Sequence, residues 1–163
     1  MVYTSLYRVE EDCKKGIFKN EAELRQAFVE ALKTELEESF CKDILAIARN
    51  YIIPRLDEMI GKGKPDVRIF NIVIEVEPPN KPLDKGRKQL HDYMNSLRSE
   101  TDIAIHGLVT NGIEAEYWLL DNNELKCKQR GSMAQVVGDT FLRLCSEKMV
   151  VVKPEDITDI FGV

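Results

Sequence analysis

Two short β-rich runs, Val67–Phe70 and Ile72–Glu77, follow each other almost without a break, and they constrain the fold more than any other stretch. A two-residue turn at Phe70-Asn71 predicts that the runs form an antiparallel hairpin. In such a hairpin each residue has one fixed partner on the opposite strand, and this register places Asp66 directly opposite Glu75. Opposed residues point to the same face, with Cβ atoms about 4.5–5.5 Å apart.

Strand alternation places a third carboxylate, Glu77, on the same face as Asp66 and Glu75, whereas Ile72, Ile74 and Val76 point the other way. One like-charge pair at about 5 Å costs roughly 3 kcal/mol at an effective dielectric constant near 20. A fold tolerates this repulsion if a divalent cation, a bound proton or a close lysine offsets it. Oxygen ligands on two adjacent strands suit Mg²⁺, which takes one or two carboxylates and keeps several waters.

A simpler alternative is a solvent-exposed acidic hairpin face, with Lys64 paired to Glu77 across the strands. The β-branched run Ile72–Val76 is more typical of a buried central strand than of an exposed one. Ionisable groups at the end of a buried strand are often functional, so we favour the functional interpretation.

Helical and strand patterns surround the hairpin. Asn20 precedes an amphipathic helix predicted over residues 20–38, and a second helical pattern runs from Ile44 to Ile52. The rest of the chain predicts a helix over 83–98, a strand that ends at the Asn111-Gly112 turn, a strand over 114–120 and a helix over 133–146. This order predicts an α/β (α+β) fold with a mixed central sheet of four to five strands flanked by helices.

Pro65-Asp66, eight further residues and Glu75-Val76-Glu77 together resemble the motif of the PD-(D/E)XK nuclease superfamily. Two helices extend the resemblance, because Glu21 stands where the family's first helix carries a glutamate, and Gln89 and Tyr93 match a Q-x-x-x-Y helix. The strand pair His106–Gly112 and Tyr117-Trp118 resembles that of the N-terminal nuclease domain of type I restriction enzyme motor subunits and related restriction–modification proteins. The match covers residues 20–120 and implies a restriction-endonuclease-like core.

The resemblance implies that Asp66 and Glu75 bind Mg²⁺, for which Mn²⁺ can substitute, with Glu21 as a third ligand. One departure concerns the family's catalytic lysine, because Glu77 stands in its place. In some relatives the lysine has moved to a neighbouring helix, and here Lys81, Lys85 and Lys88 are candidates. Gln89 lies four residues after Lys85, so the two share a helical face and reach toward one site.

The overall charge is −5 in 163 residues, which argues against a protein that coats nucleic acid indiscriminately. Residues 61–98 nevertheless contain eight Lys and Arg against five acids, so this segment is +3 and the remainder is −8. A local basic rim of this kind suits contacts with DNA phosphates. The predicted contact residues are Lys62, Lys64, Lys81, Lys88 and Arg87.

We therefore expect a single nuclease-like domain over residues 1–163, with a core over about 20–147 and a tail or linker over 148–163. Four widely spaced cysteines and the absence of a membrane-length apolar run favour the cytoplasm and no membrane partner. The expected function is Mg²⁺-dependent DNA cleavage, with further domains or subunits of a restriction–modification complex as partners. The alternative is a nuclease-fold module that has lost cleavage and serves nucleic-acid binding or assembly.

Overall fold

The computed structural model describes residues 2–36, 38, 65–69, 71–99 and 103–146. The predicted helix from Ile44 to Ile52, the side chains of Lys62 and Lys64, and the tail 148–163 lie outside these residues. The elements in chain order are α1 (Thr4–Lys14), α2 (Glu21–Glu35), β1 (Val67–Ile69), β2 (Ile72–Val76), α3 (Asp84–Arg98), β3 (Ile105–Thr110), β4 (Glu114–Asp121), β5 (Glu124–Ser132) and α4 (Met133–Ser146).

The five strands form one open mixed sheet in the order β1-β2-β3-β4-β5. β2 pairs in parallel with β3, and the other neighbouring pairs are antiparallel. Parallel neighbours need a crossover connection, and α3 supplies it. The predicted α/β fold with a helix-flanked mixed sheet is confirmed, and its architecture is that of a restriction-endonuclease-like core.

The hairpin has the predicted register, because Val67 pairs with Ile74 and Ile69 pairs with Ile72. All five residues of β2 are buried, as its β-branched composition predicts. Its two faces belong to different apolar clusters: Ile72, Ile74 and Val76 pack with α1, α2 and α4, whereas Val73 packs with α3. Glu75 alternates with these residues, so it faces the α3 side of the sheet.

α3 packs closely on the sheet because two glycines stand at the contact. A Cβ on Gly107 of β3 would collide with Met94, and a Cβ on Gly86 would lie 2.5 Å from Glu77 Oε1 and 2.8 Å from Val109 Cγ2. The absence of side chains at these positions therefore sets the helix against the strand end that carries Glu77.

Two elements were not predicted from the sequence. α1 buries Leu6, Val9 and Cys13 in the same cluster as α2, so the core extends to the N-terminal side of residue 20. β5 is an edge strand of mostly exposed and half-buried residues. It is joined to β4 by a two-residue turn at Asn122-Asn123, in which both residues have positive φ.

Within the described part of the chain, no helix has the length and apolar character that crossing a membrane requires.

Candidate active site

An open cleft of about 590 Å³ lies beside the hairpin and gathers the predicted acidic residues. Asp66 and Glu75 come from the hairpin, Glu77 follows β2, and Glu21 is the first residue of α2. The basic and polar part of the lining is Lys81, Lys85, Gln89 and Tyr93. Residues from distant parts of the sequence thus converge on one place, as the sequence analysis predicts for Asp66, Glu75, Glu77 and the α3 side chains.

Backbone hydrogen bonds fix the two hairpin carboxylates. The Asp66 N–H donates to Glu75 Oε1 at 3.2 Å, and the Val76 N–H donates to Asp66 Oδ2 at 2.8 Å. Glu77 is held through its backbone, because its N–H donates to the Thr110 carbonyl at 2.7 Å. The carboxylates of Asp66 and Glu75 and the backbone of Glu77 are therefore held by hydrogen bonds at the end of the hairpin and of β3.

The cleft brings acidic side chains together, and two of them, Glu75 and Glu77, are buried. Burial, followed by the nearby Asp66 carboxylate, raises the pKa of Glu75 well above its usual value, and Glu75 is only 4% exposed. Burial also raises the pKa of Glu77, and the Glu21 carboxylate adds to this effect. The pKa of Glu21 is raised by burial and by Asp66. These raised pKa values indicate that the basic groups of the protein do not fully offset the negative charge of the cluster.

Arg25 contributes a contact that sequence reasoning missed. Its Nη1 lies 3.1 Å from Asp66 Oδ1, so a guanidinium from α2 reaches the hairpin across 41 residues of sequence. The side chain of Arg25 is 40% exposed, and that of Asp66 is 12% exposed. A weak signal exists in the sequence, because Arg25 lies four residues after Glu21 and so shares its helix face.

The donor atoms of this cleft suit a divalent cation, since carboxylate oxygens are the ligands that Mg²⁺ prefers. Their arrangement is not that of a preformed site. In the part of the chain that the structure describes, no group of three or more His, Cys, Asp or Glu side chains is placed to hold a metal ion. At Asp66, Arg25 contacts one carboxylate oxygen and the Val76 amide contacts the other.

α3 presents a polar face to the cleft through Lys85, Gln89 and Tyr93. The Lys85 ammonium is close enough to oppose the pKa increases of Glu77 and Glu21. Burial raises the pKa of the Tyr93 hydroxyl, and the carboxylates of Glu75 and Asp66 raise it further. The predicted shared face of Lys85 and Gln89 is therefore present, and it faces the acids.

The predicted phosphate-binding residues are placed differently from one another. Lys81 lines the cleft, and Lys88 is exposed on α3. Arg87 instead donates from Nε and Nη2 to the Glu116 carboxylate at 2.8 and 2.7 Å, and from Nη1 to Asp84 at 2.9 Å. The bonds to Glu116 tie α3 to β4 and the bond to Asp84 lies within α3, so a phosphate contact by Arg87 would require breaking bonds of both kinds.

No protein-family profile matches the sequence, and no curated protein matches it. Among solved structures, the chain is similar to one in a cryo-EM structure of a DrdV–DNA complex, with a TM-score of 0.55 and 16% sequence identity. The similarity covers 89% of this chain and 95% of that chain. It shows that the two chains share a fold over nearly their whole length.

The raised pKa of Glu75 leads to a prediction about stability. Above the pKa of an unfolded glutamate the unfolded chain ionises Glu75, while the folded chain keeps it protonated, so the folded state loses stability as pH rises toward the folded pKa. Glu75→Gln removes this loss and keeps an oxygen to accept the Asp66 N–H. In the presence of EDTA, we expect its free energy of unfolding to exceed that of the wild type by about 1–3 kcal/mol at pH 7.

The difference should shrink toward zero near pH 4, where Glu75 is protonated in both states. Urea denaturation followed by circular dichroism at several pH values measures it. Glu30→Gln, an exposed substitution on α2, is the matched control and should follow the wild type at every pH. If the Glu75→Gln protein is less stable than the wild type at pH 7, the pKa of Glu75 is not raised in the folded protein.

Proposed function

We propose that this chain is a Mg²⁺-dependent DNA endonuclease domain, in which Mn²⁺ can replace Mg²⁺. The proposal depends on one observation, the convergence of Glu21, Asp66, Glu75 and Glu77 on a single cleft beside Lys85. The pKa values of Glu21, Glu75 and Glu77 are raised, as expected where carboxylates lack a cation. The resemblance to the PD-(D/E)XK superfamily associates these positions with metal-dependent cleavage of phosphodiester bonds.

The fold similarity supports DNA as the substrate. The similar chain belongs to a complex with DNA, and the likeness extends over 95% of that chain. Lys81 is exposed and lines the cleft, and Lys88 is exposed on α3, so both suit contacts with phosphates. Lys62 and Lys64 belong to the same basic segment of the sequence. The overall charge of −5 disfavours tight binding to DNA by this domain alone. Other domains or subunits of a cytoplasmic restriction–modification or defence complex would supply the remaining affinity for DNA.

Asp66 and Glu75 would hold the metal, with Glu21 as a third ligand. When bound, the ion would stabilise negative charge on the phosphate and on the leaving oxygen. This is the part of the chemistry that the carboxylate cluster cannot supply alone, since its own charge repels a phosphate.

The remaining polar residues of the cleft would act on the attacking water and on the phosphate. Water must lose a proton as its oxygen attacks phosphorus. Glu77 is suited to accept that proton because its pKa is raised, and a general base works best when its pKa is close to the working pH. Lys85 would help to orient the attacking water, which is the role that the resemblance implies for the motif lysine that Glu77 replaces. The amide of Gln89, on the same helix face, would orient the water or the phosphate.

One set of observations favours a second candidate, a nuclease-fold module that binds nucleic acid or assembles a complex without cleaving. Glu77 replaces the family's lysine, and Asp66 is paired with Arg25. Metal binding separates the two candidates. Titration of Mn²⁺ into the metal-free protein should release or absorb heat if the domain is a nuclease, and the absence of binding would favour the second candidate.

Plasmid cleavage tests the proposed activity. The wild type should nick and linearise supercoiled plasmid in Mg²⁺ and lose this activity in EDTA. Asp66→Asn should lower the rate at least about 100-fold, because it weakens the site that stabilises charge at the phosphate. Glu30→Gln is the matched control and should retain the wild-type rate. Equal cleavage by the wild type and Asp66→Asn would mean that the activity does not arise from this cleft.

The role of Glu77 has its own test. Glu77→Gln keeps the size and hydrogen-bonding capacity of the side chain but cannot accept a proton. We expect the cleavage rate to fall about 100-fold while the affinity for Mn²⁺ changes little, and the acidic limb of the pH–rate profile should disappear. An unchanged pH–rate profile would show that Glu77 does not take the proton.

A further inference from the structure

We propose that Arg25 is a positioning residue that occupies the cation position at Asp66 until a divalent metal displaces it, and so sets the metal affinity of the cleft. This inference rests on the proposed function, because it concerns the metal that Asp66 and Glu75 would bind. Its distinctive consequence is that removing the arginine strengthens metal binding.

The contacts of Asp66 show which oxygen the arginine takes. Oδ2 accepts the Val76 N–H, and the backbone N–H of Asp66 is directed to Glu75 Oε1. Oδ1 is then the oxygen available to a cation, and Arg25 Nη1 lies 3.1 Å from it. A metal that uses Oδ1 must therefore compete with the guanidinium.

The position of Arg25 is built into α2. The Asn20 side chain caps the helix by accepting the Glu23 N–H at 2.9 Å, which fixes the first turn beside the hairpin. Glu21 and Arg25 are one turn apart on this helix, so a carboxylate and a guanidinium reach the same cleft from one face. The helix thus brings a candidate metal ligand and a competing cation together.

The position of Arg25 allows its guanidinium to dissociate from Asp66. The Arg25 side chain is 40% exposed, so a released guanidinium can be hydrated without moving α2. Asp66, which is 12% exposed in the ion pair, is held separately by the Val76 N–H. A partly exposed ion pair is weak, and its removal changes an equilibrium by a factor of about five. A divalent ion that gains two or three carboxylates can overcome competition of this size.

Calorimetric titration of Mn²⁺ into the metal-free domain tests the inference. Arg25→Gln should bind Mn²⁺ about fivefold more tightly than the wild type, because the competing charge is gone. Arg25→Lys should lie between the two, since an ammonium holds a carboxylate without the fork geometry of a guanidinium. Arg8→Gln, which removes an exposed arginine of α1, is the matched control and should bind as the wild type does.

A purely structural role for Arg25 predicts the opposite direction, because loosening α2 or the hairpin would weaken metal binding. Thermal unfolding gives a second readout: without metal, Arg25→Gln should melt below Arg8→Gln, and Mn²⁺ should raise its melting temperature by more than it raises that of the wild type. If Arg25→Gln does not fold, the order of Arg25→Lys and the wild type decides the question.

The outcomes separate this inference from the proposed function. If the wild type binds Mn²⁺, Asp66→Asn does not, and Arg25→Gln binds equally or more weakly, only the role of Arg25 is overturned. If neither the wild type nor Arg25→Gln binds Mn²⁺, both proposals fail. Tighter binding by Arg25→Gln than by the wild type supports the inference.

Discussion

The repulsion between Asp66 and Glu75 is the constraint around which the cleft is arranged. The register of a two-residue hairpin places them opposite each other, and the apolar cluster on the other face of β2 prevents the strand from turning them away. Glu75 cannot turn away from Asp66 without exposing Ile72, Ile74 and Val76, which lie on the other face of β2. Three features reduce or offset this negative charge: the Val76 N–H donates to Asp66, the raised pKa of Glu75 favours its protonated form, and Arg25 pairs with Asp66. Each feature does part of what a bound cation would do.

The elements around the hairpin hold further charged groups within reach of that pair. α3 is seated against the sheet by Gly86 and Gly107, and this close packing brings Lys85 and Gln89 to the cleft beside Glu77. The ion pair of Arg87 with Glu116 attaches the same helix to β4, and Asp84, at the start of α3, also pairs with the Arg87 guanidinium. The proposed chemistry therefore depends on a helix position that is fixed by packing and by charge pairs outside the cleft.

The parts of the fold that the sequence predicted are those specified by local patterns. The hairpin register follows from the short turn and from period-two alternation, and α2 follows from Asn20 and its apolar stripe. α1 was missed although Leu6, Val9 and Cys13 have helical spacing, because its N-cap residue Tyr3 makes no side-chain capping bond, and the carboxylate that accepts the Ser5 N–H belongs to the distant Glu35. β5 was missed because an edge strand alternates between charged and half-buried residues, although Asn122-Asn123 is a recognisable hairpin turn.

The candidate site shows the same division. The shared cleft of Asp66, Glu75, Glu77 and Lys85 was predictable because the hairpin register and one helix face determine it. The contact of Arg25 with Asp66 was not, because it depends on how α2 packs beside a hairpin that lies 41 residues away in sequence. The pairing of Arg87 with Glu116 likewise joins residues 29 positions apart, and no local pattern distinguishes it from an exposed basic residue.

We expect a cation between the hairpin carboxylates, and anomalous X-ray scattering from Mn²⁺ tests this most directly. In crystals of the domain soaked with Mn²⁺, an anomalous peak should lie within coordination distance of Asp66 Oδ1 and a Glu75 oxygen, with the Arg25 guanidinium moved away. Crystals in which Mn²⁺ scatters elsewhere, while Arg25 stays paired with Asp66 at saturating metal, would contradict it.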